Sequence, residues 1–262
     1  MRIKDKKIIL TGAGSGIGRE LAIQLLKKGA LVAALDINEE NLNTLKNELN
    51  NDNLKTYVVD VSNDESINSF KNNYFNDFSN ADILINNAGI IQPFKRIDEL
   101  DYSTIERVMN INFYGPLKLT KIFLPELLSR PEGHIVNVSS MGGFFPFPGQ
   151  SVYGASKAAL KLFTEGLYAE LLNTNVHVTI VFPGAVNTSI VSNSNVESNN
   201  SSSSNYKMVS ALDAALSIIN SIEANKFQVY IGKDAKIMNL MYKFSPKKAI
   251  SFINKKMSNI SR

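Results

Sequence analysis

Residues 8–18 read IILTGAGSGIG, an apolar run followed by closely spaced glycines, and this stretch decides the fold. The apolar run predicts a strand that ends at Thr11, and a helical pattern begins at Gly16. In such a unit Gly12 permits the tight turn, Gly16 lets the backbone approach a pyrophosphate, and Gly18 allows close helix packing. The helix N-terminus adds unpaired N–H groups. We therefore expect a dinucleotide-binding turn with the cofactor-binding residues Gly12, Ser15, Gly16, Ile17 and Gly18.

Strand-like and helical patterns alternate along the rest of the chain. Short apolar runs predict strands at 7–11, 31–36, 54–60, 82–86, 134–139, 176–182 and 227–231. Helical periodicity predicts helices at 16–28, 39–50, 66–78, 102–128, 151–172 and 208–224. Short buried strands separated by helices are typical of a parallel sheet covered on both faces. The expected fold class is α/β, a doubly wound parallel sheet of Rossmann type, in a single domain spanning residues 1–232.

The composition excludes several classes of protein. The 262 residues are 44% hydrophobic and 20% charged, which is typical of a compact globular protein. The absence of cysteine excludes disulfides, thiolate metal sites and a cysteine nucleophile, and His134 and His177 are the only histidines. We expect no metal site, and structural roles for both histidines. Because there is no apolar run of about 18 residues and no signal-peptide core, we expect a cytoplasmic protein.

The positive charge is concentrated in one segment. Residues 233–262, the basic C-terminal tail, hold eight Lys and Arg side chains against the single acid Asp234, a net +7 within a chain of net +4. Residues 1–232 therefore carry −3, and nothing there favours nucleic-acid binding. Apolar residues recur at helical spacing on both sides of Pro246, which predicts two short amphipathic helices. The tail either docks on its own or a neighbouring subunit, or it lies on an anionic membrane surface or guides an acidic substrate.

Residues 192–205 form a second unusual segment. Twelve of these fourteen residues are Ser or Asn, so the segment buries too little apolar surface to offset the entropy of ordering it. We interpret it as a flexible loop.

Asp36 ends the second predicted strand, eighteen residues after Gly18. An acid near this offset accepts hydrogen bonds from the adenosine ribose hydroxyls and repels a 2′-phosphate. Neither Ser15 nor Ile37 offers the basic partner that a 2′-phosphate needs, although Arg19 is an opposing observation. The sequence thus favours NAD over NADP, and the alternative is that Asp36 is only a turn residue at the end of a strand.

Further motifs stand at the ends of the predicted strands and at the start of a helix: Asp60-Val61, Asn86-Asn87-Ala88-Gly89, Tyr153-x-x-x-Lys157 and Pro183-Gly184. With the glycine turn, they make residues 5–232 resemble the short-chain dehydrogenase/reductase family, in its common single-domain branch. The resemblance implies further cofactor-binding residues: Asp36, Asp60, Val61, Asn87, Ala88, Gly89, Tyr153, Lys157, Pro183, Gly184 and Thr188. It implies as catalytic residues Ser140, Tyr153, Lys157 and Asn112, with Ser139 and Asn110 as less favoured neighbours.

The chemistry of Tyr153 and Lys157 supports this assignment independently. The two residues are four apart at the start of a helix, so their side chains share a face. A phenol has an ordinary pKa of about 10, and we expect the Lys157 ammonium and an oxidised nicotinamide to lower the pKa of Tyr153. Tyr153 then exchanges a proton with the reacting oxygen, and Ser140 hydrogen-bonds the same oxygen. By resemblance, Asn112 holds a water that links Lys157 to solvent.

The substrate is indicated only by the loop between Ser140 and Tyr153. Phe144, Phe145 and Phe147 favour an apolar substrate if they face it, and the alternative is that they pack within the protein or against a neighbouring subunit. The sequence therefore predicts an NAD(H)-dependent oxidoreductase that interconverts a secondary alcohol and a ketone on an apolar or lipid-like substrate. The alternatives are an NADPH-dependent ketoacyl reductase and a non-catalytic dinucleotide-sensing protein.

The long predicted helices 102–128 and 151–172 bear on assembly. By resemblance, they lie between subunits, which implies a homodimer or homotetramer.

The flexible loop at residues 192–205 follows Thr188. By resemblance, it acts as the substrate lid.

Overall fold

The computed structural model describes residues 1–188, 190–194 and 208–258. Its strands are β1 Lys7–Thr11, β2 Leu31–Asp36, β3 Leu54–Val58, β4 Ile83–Asn86, β5 Gly133–Val138, β6 Val176–Pro183, β7 Val186–Asn187, β8 Val209–Ser210 and β9 Gln228–Ile231. Its helices are α1 Gly16–Lys27, α2 Glu39–Leu49, α3 Asp64–Phe78, α4 Tyr102–Met109, α5 Gly115–Ser129, α6 Ser151–Leu171, α7 Ile190–Asn193, α8 Ala211–Glu223, α9 Lys233–Phe244 and α10 Pro246–Ser258.

Seven strands form one parallel sheet in the order β3-β2-β1-β4-β5-β6-β9. β1 pairs with β2 on one side and with β4 on the other, so the strand order reverses between β1 and β4. In a doubly wound sheet, ligands bind in the crevice outside the carboxyl ends of the strands at such a switch point. The short strands β7 and β8 pair with each other, separately from the main sheet. This topology confirms the predicted fold class.

Helices cover both faces of the sheet because successive residues of a strand point to opposite sides. Ile8 and Leu10 pack with α1, α2 and α8 on one face. Ile9, between them, packs with α3, α5 and α6 on the other. Aromatic rings help to fill the second layer, where the centroids of Phe70 and Phe123 lie 5.9 Å apart. The two layers together bury the sheet and expose only its edges and strand ends.

The predicted helix 102–128 is interrupted. A π-helical turn at Asn110–Tyr114 separates α4 from α5, and the N–H of Gly115 there donates to the carbonyl of Asn110. Pro116 has no N–H, so it cannot supply the α-helical donor to the carbonyl of Asn112, four residues earlier. Periodicity does not reveal the interruption, because the apolar pattern continues through the turn.

The basic C-terminal tail docks on its own subunit, and its two helices meet at Pro246 as predicted. Phe145, in the loop after β5, is completely buried against Met238, Ala249 and Ile253 of these helices. None of the helices in the described ranges is long and apolar enough to cross a membrane.

The phenylalanines of the loop after β5 therefore pack within the protein. Phe144 contacts Phe182 and Tyr230 edge-on, with ring centroids 5.3 and 5.7 Å apart. Phe147 lies beside Phe145, with centroids 5.6 Å apart. Of the two interpretations of these rings, packing inside the chain is the one that the structure shows.

The predicted flexible segment 192–205 is only partly described. Its first residues complete α7 and continue to Ser194. Residues 195–205 lie outside the described residues.

His134 is completely buried in β5. Thr179 Oγ1 donates to the carbonyl of Lys226 at 2.7 Å, so His134 Nε2 is the donor in its 2.8 Å hydrogen bond to Thr179. Nδ1 has no hydrogen-bond partner among the described residues. Burial lowers the pKa of His134 to about 3, so the ring is neutral at neutral pH.

Acid is expected to destabilise the fold through His134. An unfolded histidine binds a proton below about pH 6.5, whereas the buried ring binds one only near pH 3. Between these values the unfolded state holds more protons, so His134 lowers the free energy of unfolding by about 2 kcal/mol between pH 6.5 and 5. Urea unfolding at the two pH values measures this loss, and His134→Gln removes it. The core control Ile218→Val keeps it; an equal pH dependence of wild type and His134→Gln would contradict the prediction.

Candidate functional site

A cleft of about 780 Å³ opens at the carboxyl ends of the strands, at the switch point between β1 and β4. Its walls come from the ends of β1, β2, β4, β5 and β6 and from the start of α6. Each of these ends carries one of the motifs found in the sequence. The parallel sheet therefore brings residues that are far apart in the chain into one wall.

The glycine turn between β1 and α1 forms one end of the cleft. Gly12 and Gly16 have φ angles of +67° and +52°, a left-handed backbone that favours glycine. A Cβ atom on Gly18 would lie 1.8 Å from the carbonyl oxygen of Gly12, so only glycine fits there. Ser15 precedes α1 without forming a side-chain cap, which leaves the first N–H groups of α1 without that acceptor. Uncapped donors at the positive end of a helix dipole fit a pyrophosphate.

The motif after β4 holds the glycine turn in place. Asn87 Nδ2 donates to the carbonyls of Thr11 at 3.0 Å and Gly12 at 3.2 Å. In return, Thr11 Oγ1 accepts the N–H groups of Asn87 and Ala88, each at 3.0 Å. These bonds join the ends of β1 and β4 across the switch point.

Asp36 holds the same turn from the end of β2. Its carboxylate accepts the N–H of Gly14 at 2.8 Å and the N–H of Asn38 at 3.0 Å. Arg19, the residue that opposed a preference for NAD, forms an ion pair with Glu48 instead. Among the described residues, Asp36 has no ion-pair partner. Its negative charge therefore lines the cleft without a cation beside it.

Tyr153, Lys157 and Ser140 line the opposite end of the cleft. The side chains of Tyr153 and Ser140 lie side by side: a Cβ on Gly142 would lie 3.1 Å from the Tyr153 ring and 3.5 Å from Ser140 Oγ. Ser140 Oγ also accepts the N–H of Gly142 at 3.0 Å, which fixes its position. Lys157 Nζ donates to the carbonyl of Val138 at 3.0 Å. The end of β5 and the first turns of α6 thus present two hydroxyls and an ammonium group on one wall.

Ser139, the neighbour of Ser140, uses its hydroxyl differently. It is buried, and its Oγ donates to the main-chain carbonyl of Lys157 at 2.9 Å. The hydrogen bond of Ser139 therefore links the end of β5 to α6. Ser140 is the serine whose hydroxyl lies beside Tyr153.

Burial shifts the pKa values of both ionisable groups at this wall. It raises the pKa of Tyr153, and the hydrogen bond from Ser140 only partly opposes that shift. The same burial lowers the pKa of Lys157 to about 8. The expectation that Lys157 lowers the pKa of Tyr153 is therefore wrong for the chain itself, because removal from water penalises the charged form of each group.

Asn112 is completely buried in the π-helical turn and lies behind the cleft wall. Its Oδ1 accepts the N–H of Ile90 at 2.9 Å, and its Nδ2 donates to the carbonyl of Ile90 at 2.9 Å and to Ser156 Oγ at 3.0 Å. A Cβ on Gly89 would lie 3.2 Å from Asn112 Oδ1 and 2.9 Å from Lys157 Nζ, so both side chains approach this glycine closely. Asn112 thus joins the turn, the segment after β4 and α6.

The loop after β6 lines the cleft with Pro183, Gly184 and Thr188. Asp234, at the start of α9, holds this loop: its buried carboxylate accepts the N–H of Ala185 at 2.6 Å. A Cβ on Gly184 would lie 2.2 Å from the same carboxylate. Sequence alone does not reveal this link, because Asp234 stands out there only as the single acid of a basic segment.

The cleft brings together all of the residues that the sequence singled out for the site, except Gly18 and Asn112, which lie behind its wall. Those that line it are Gly12, Ser15, Gly16, Ile17, Asp36, Asp60, Val61, Asn87, Ala88, Gly89, Ser140, Tyr153, Lys157, Pro183, Gly184 and Thr188.

Gln92 is a residue of the site that no motif indicated. It is completely buried, and its Oε1 accepts the N–H groups of Val152 and Tyr153 at 2.8 and 2.9 Å. Its Nε2 donates to the carbonyl of Gly149 at 2.9 Å, and its own carbonyl accepts Gln150 Nε2 at 2.7 Å. Gln150 itself makes no side-chain cap at the start of α6. Gln92 therefore caps the helix that carries Tyr153, and only its place shortly after the Asn-Ala-Gly motif could have suggested it.

The described start of the predicted lid contacts two sides of the cleft. Asn193 Nδ2 donates to Ser15 Oγ at 2.7 Å. The N–H of Ile91 donates to Ser194 Oγ at 3.0 Å, and Ser194 is buried. This segment therefore connects the loop after β6 with the glycine turn and with the segment after β4.

Known proteins share both the sequence pattern and the fold. A family model described as short chain dehydrogenase matches residues 6–199. A Mycobacterium tuberculosis protein named as a candidate oxidoreductase, SadH, is 33% identical over 249 residues, which cover 91% of this chain and 90% of its own. An uncharacterized oxidoreductase of Staphylococcus aureus is 35% identical over 188 residues, which cover 72% of this chain and 81% of its own.

Solved structures of short-chain dehydrogenases resemble this chain in fold. A short-chain dehydrogenase from Streptomyces avermitilis has a TM-score of 0.82 at 26% identity, over 98% of each chain. A short chain dehydrogenase from Burkholderia cenocepacia in complex with NADP has a TM-score of 0.81 at 26% identity, over 97% of this chain and 99% of its own. A short chain dehydrogenase/reductase from Burkholderia phymatum in complex with NAD shares the fold, with a TM-score of 0.81 at 24% identity over 88% of this chain and 90% of its own. The chain therefore belongs to the short-chain dehydrogenase/reductase family of NAD(P)-dependent oxidoreductases.

Proposed function

We propose that the protein is an NAD(H)-dependent oxidoreductase that interconverts a secondary alcohol and a ketone. The observation that carries this proposal is that Tyr153 and Ser140 lie side by side on the wall of the cleft that also contains the glycine turn. When bound there, the nicotinamide supplies or accepts the hydride. The chain supplies the proton, the position of the reacting oxygen and the binding surface.

Tyr153 is the proposed general acid and base. Because burial raises its pKa, the hydroxyl keeps its proton at neutral pH and has it available for a carbonyl oxygen in the reductive direction. In the oxidative direction the same oxygen takes the proton of the alcohol. Ser140, fixed by the N–H of Gly142, donates to the reacting oxygen and holds it beside Tyr153.

Lys157 and Asn112 are the proposed route by which Tyr153 regains its proton. With a pKa of about 8, Lys157 is mostly charged at neutral pH and still releases a proton readily. Pro116 cannot supply the α-helical donor to the main-chain carbonyl of Asn112, and this carbonyl is the proposed acceptor for the water of the route. The close approach of Lys157 and Asn112 to Gly89 supports this pairing.

NAD is the proposed cofactor, in preference to NADP. The support is electrostatic: Asp36 lines the cleft with no ion-pair partner among the described residues, and Arg19 is engaged by Glu48. A 2′-phosphate beside Asp36 would be repelled.

An apolar or lipid-like molecule is the proposed substrate class. Phe144 and Phe145 no longer support it, because they pack inside the chain. The support is instead the apolar surface that Ile90, Ile91 and Ile190 contribute to the cleft.

A homodimer or homotetramer in the cytoplasm is the proposed assembly, with the basic C-terminal tail in peripheral contact with a membrane surface. Large apolar side chains on the helices that would lie between subunits support the oligomer: Tyr102 of α4 is 83% exposed and Leu162 of α6 is 69% exposed.

Replacing Tyr153 by phenylalanine tests the proposed reaction. Wild type is expected to reduce members of a panel of apolar ketones with NADH, and Tyr153→Phe to lose at least about 100-fold in kcat because it has no proton to donate. The measurement is nicotinamide absorbance over time, with NADH binding measured in parallel.

Tyr168→Phe, on the same helix, is the matched control and is expected to keep full turnover. Full turnover in Tyr153→Phe would contradict the role of this residue. NADH binding by wild type without turnover of any ketone or matching alcohol would contradict the proposed reaction.

A further inference from the structure

The helix α9 has a second apolar face that no part of the chain covers in the described structure. Its inner face is buried around Met238. On the other side Ile237 and Leu240 are 55% and 58% exposed, and Phe244 is 82% exposed. Their spacing of three and four residues places them in one line along the helix, which we call the outer stripe.

Lysines flank the outer stripe. Lys233, Lys236 and Lys243 are exposed on the same helix, and two further exposed lysines follow Pro246. The only acid of the basic C-terminal tail, Asp234, is buried and bonded to the loop after β6. The exposed surface around the stripe is therefore cationic, although residues 1–232 carry a net −3.

The orientation of α9 is fixed by its inner contacts. Asp234 accepts the N–H of Ala185 at 2.6 Å, and Met238 packs against the completely buried Phe145. Turning the outer stripe inward would break both contacts. The stripe therefore faces away from the sheet.

We propose that the outer stripe and its lysines bind the surface of an anionic lipid bilayer. The inference deepens the peripheral contact proposed above and does not depend on the reaction. Apolar side chains that are flanked by lysines insert at the boundary between headgroups and acyl chains, while the ammonium groups lie among anionic headgroups. A second copy of the chain is a poorer occupant, because a symmetric contact would bring the same lysines face to face.

Vesicle co-sedimentation of the full chain tests this proposal. Vesicles of equal parts phosphatidylcholine and phosphatidylglycerol are expected to bind the protein, less so at high salt, and pure phosphatidylcholine vesicles to bind it weakly. Leu240→Ser with Phe244→Ser removes two of the three apolar side chains of the stripe, and Lys236→Glu with Lys243→Glu replaces two of the surrounding positive charges by negative ones. Each pair is expected to weaken binding at least about tenfold.

Lys46→Glu with Lys71→Glu, on α2 and α3, is the matched control. It changes the net charge by the same amount away from the tail and is expected to keep most of the binding. Binding that survives both tail pairs, or no binding to anionic vesicles, would overturn the proposal. A fall in mass of the Leu240→Ser, Phe244→Ser protein in lipid-free sedimentation would overturn it in favour of a second copy.

An independent observation concerns Gln92. We infer that Gln92 is a positioning residue for Tyr153, a role that rests on the proposed function. The side-chain Oε1 of Gln92 accepts the N–H groups of Tyr153 and Val152. Its Nε2 donates to the carbonyl of Gly149, whose φ is +76°. The start of α6 is therefore positioned by Gln92, whose own side chain is completely buried. Loss of this side chain would remove the partner of three main-chain groups, one of them buried and two partly buried.

Gln92→Leu is expected to lower kcat at least about tenfold and to leave the Kd of NADH unchanged, because Tyr153 shifts while the glycine turn does not. Gln92→Glu keeps the acceptor and regains the donor when protonated, so its kcat relative to wild type is expected to rise as the pH falls. Gln150→Leu is the matched control. It removes the buried side chain that donates to the main-chain carbonyl of Gln92, but it leaves Gln92 Oε1 in place as the acceptor for the N–H groups at the start of α6.

Amide hydrogen exchange at Val152 and Tyr153 gives a readout that needs no turnover. Protection is expected to fall in Gln92→Leu and to persist in Gln150→Leu. Equal kcat in wild type and Gln92→Leu, or equal losses in both glutamine variants, would overturn the role. If exchange at Val152 and Tyr153 changes in Gln92→Leu but the wild type turns over no ketone, the result would count against the proposed reaction. It would not count against the capping of α6 by Gln92.

Discussion

The contact between Gly18 and the carbonyl oxygen of Gly12 is the constraint on which the site depends. With no Cβ at position 18, α1 starts directly against the end of β1. The carbonyls of Thr11 and Gly12 are then free to accept Asn87, which fastens the end of β4 to the same turn. A larger residue at position 18 would push α1 away and separate its N-terminus from the switch point. The position of the uncapped N-terminus of α1 and the link between β1 and β4 therefore both depend on glycine at position 18.

Burial is the second organising effect, and it acts on both members of the pair on α6. Taking Tyr153 and Lys157 out of water raises the pKa of the phenol and lowers that of the ammonium. A neutral phenol beside a lysine that gives up its proton readily is suited to donating a proton and replacing it. The basic C-terminal tail packs against a neighbouring part of the chain, because its helices bury Phe145 in the loop that connects Ser140 to α6.

Most of the fold could be predicted because buried parallel strands are continuous apolar runs and the helices between them are periodic. The glycine turn and the short motifs placed the site for a related reason: parallel strands end at one edge, so motifs at strand ends meet. What could not be predicted depends on partners distant in the sequence. Gln92 caps a helix some sixty positions later, and Asp234 holds Ala185 across a similar distance. The direction of the pKa shift of Tyr153 and the packing of Phe145 also depend on burial, which no local pattern contains.

We propose that the cleft binds a dinucleotide at the glycine turn and that Asp36 selects NAD. Calorimetric titration of the protein with NADH and with NADPH, in the absence of substrate, measures both affinities. NADH is expected to bind at least about tenfold more tightly than NADPH. Asp36→Asn keeps an acceptor for the N–H of Gly14 but loses the charge, so it is expected to reduce this difference in affinity. Equal or tighter binding of NADPH to the wild type, or no binding of either dinucleotide, would contradict the proposal.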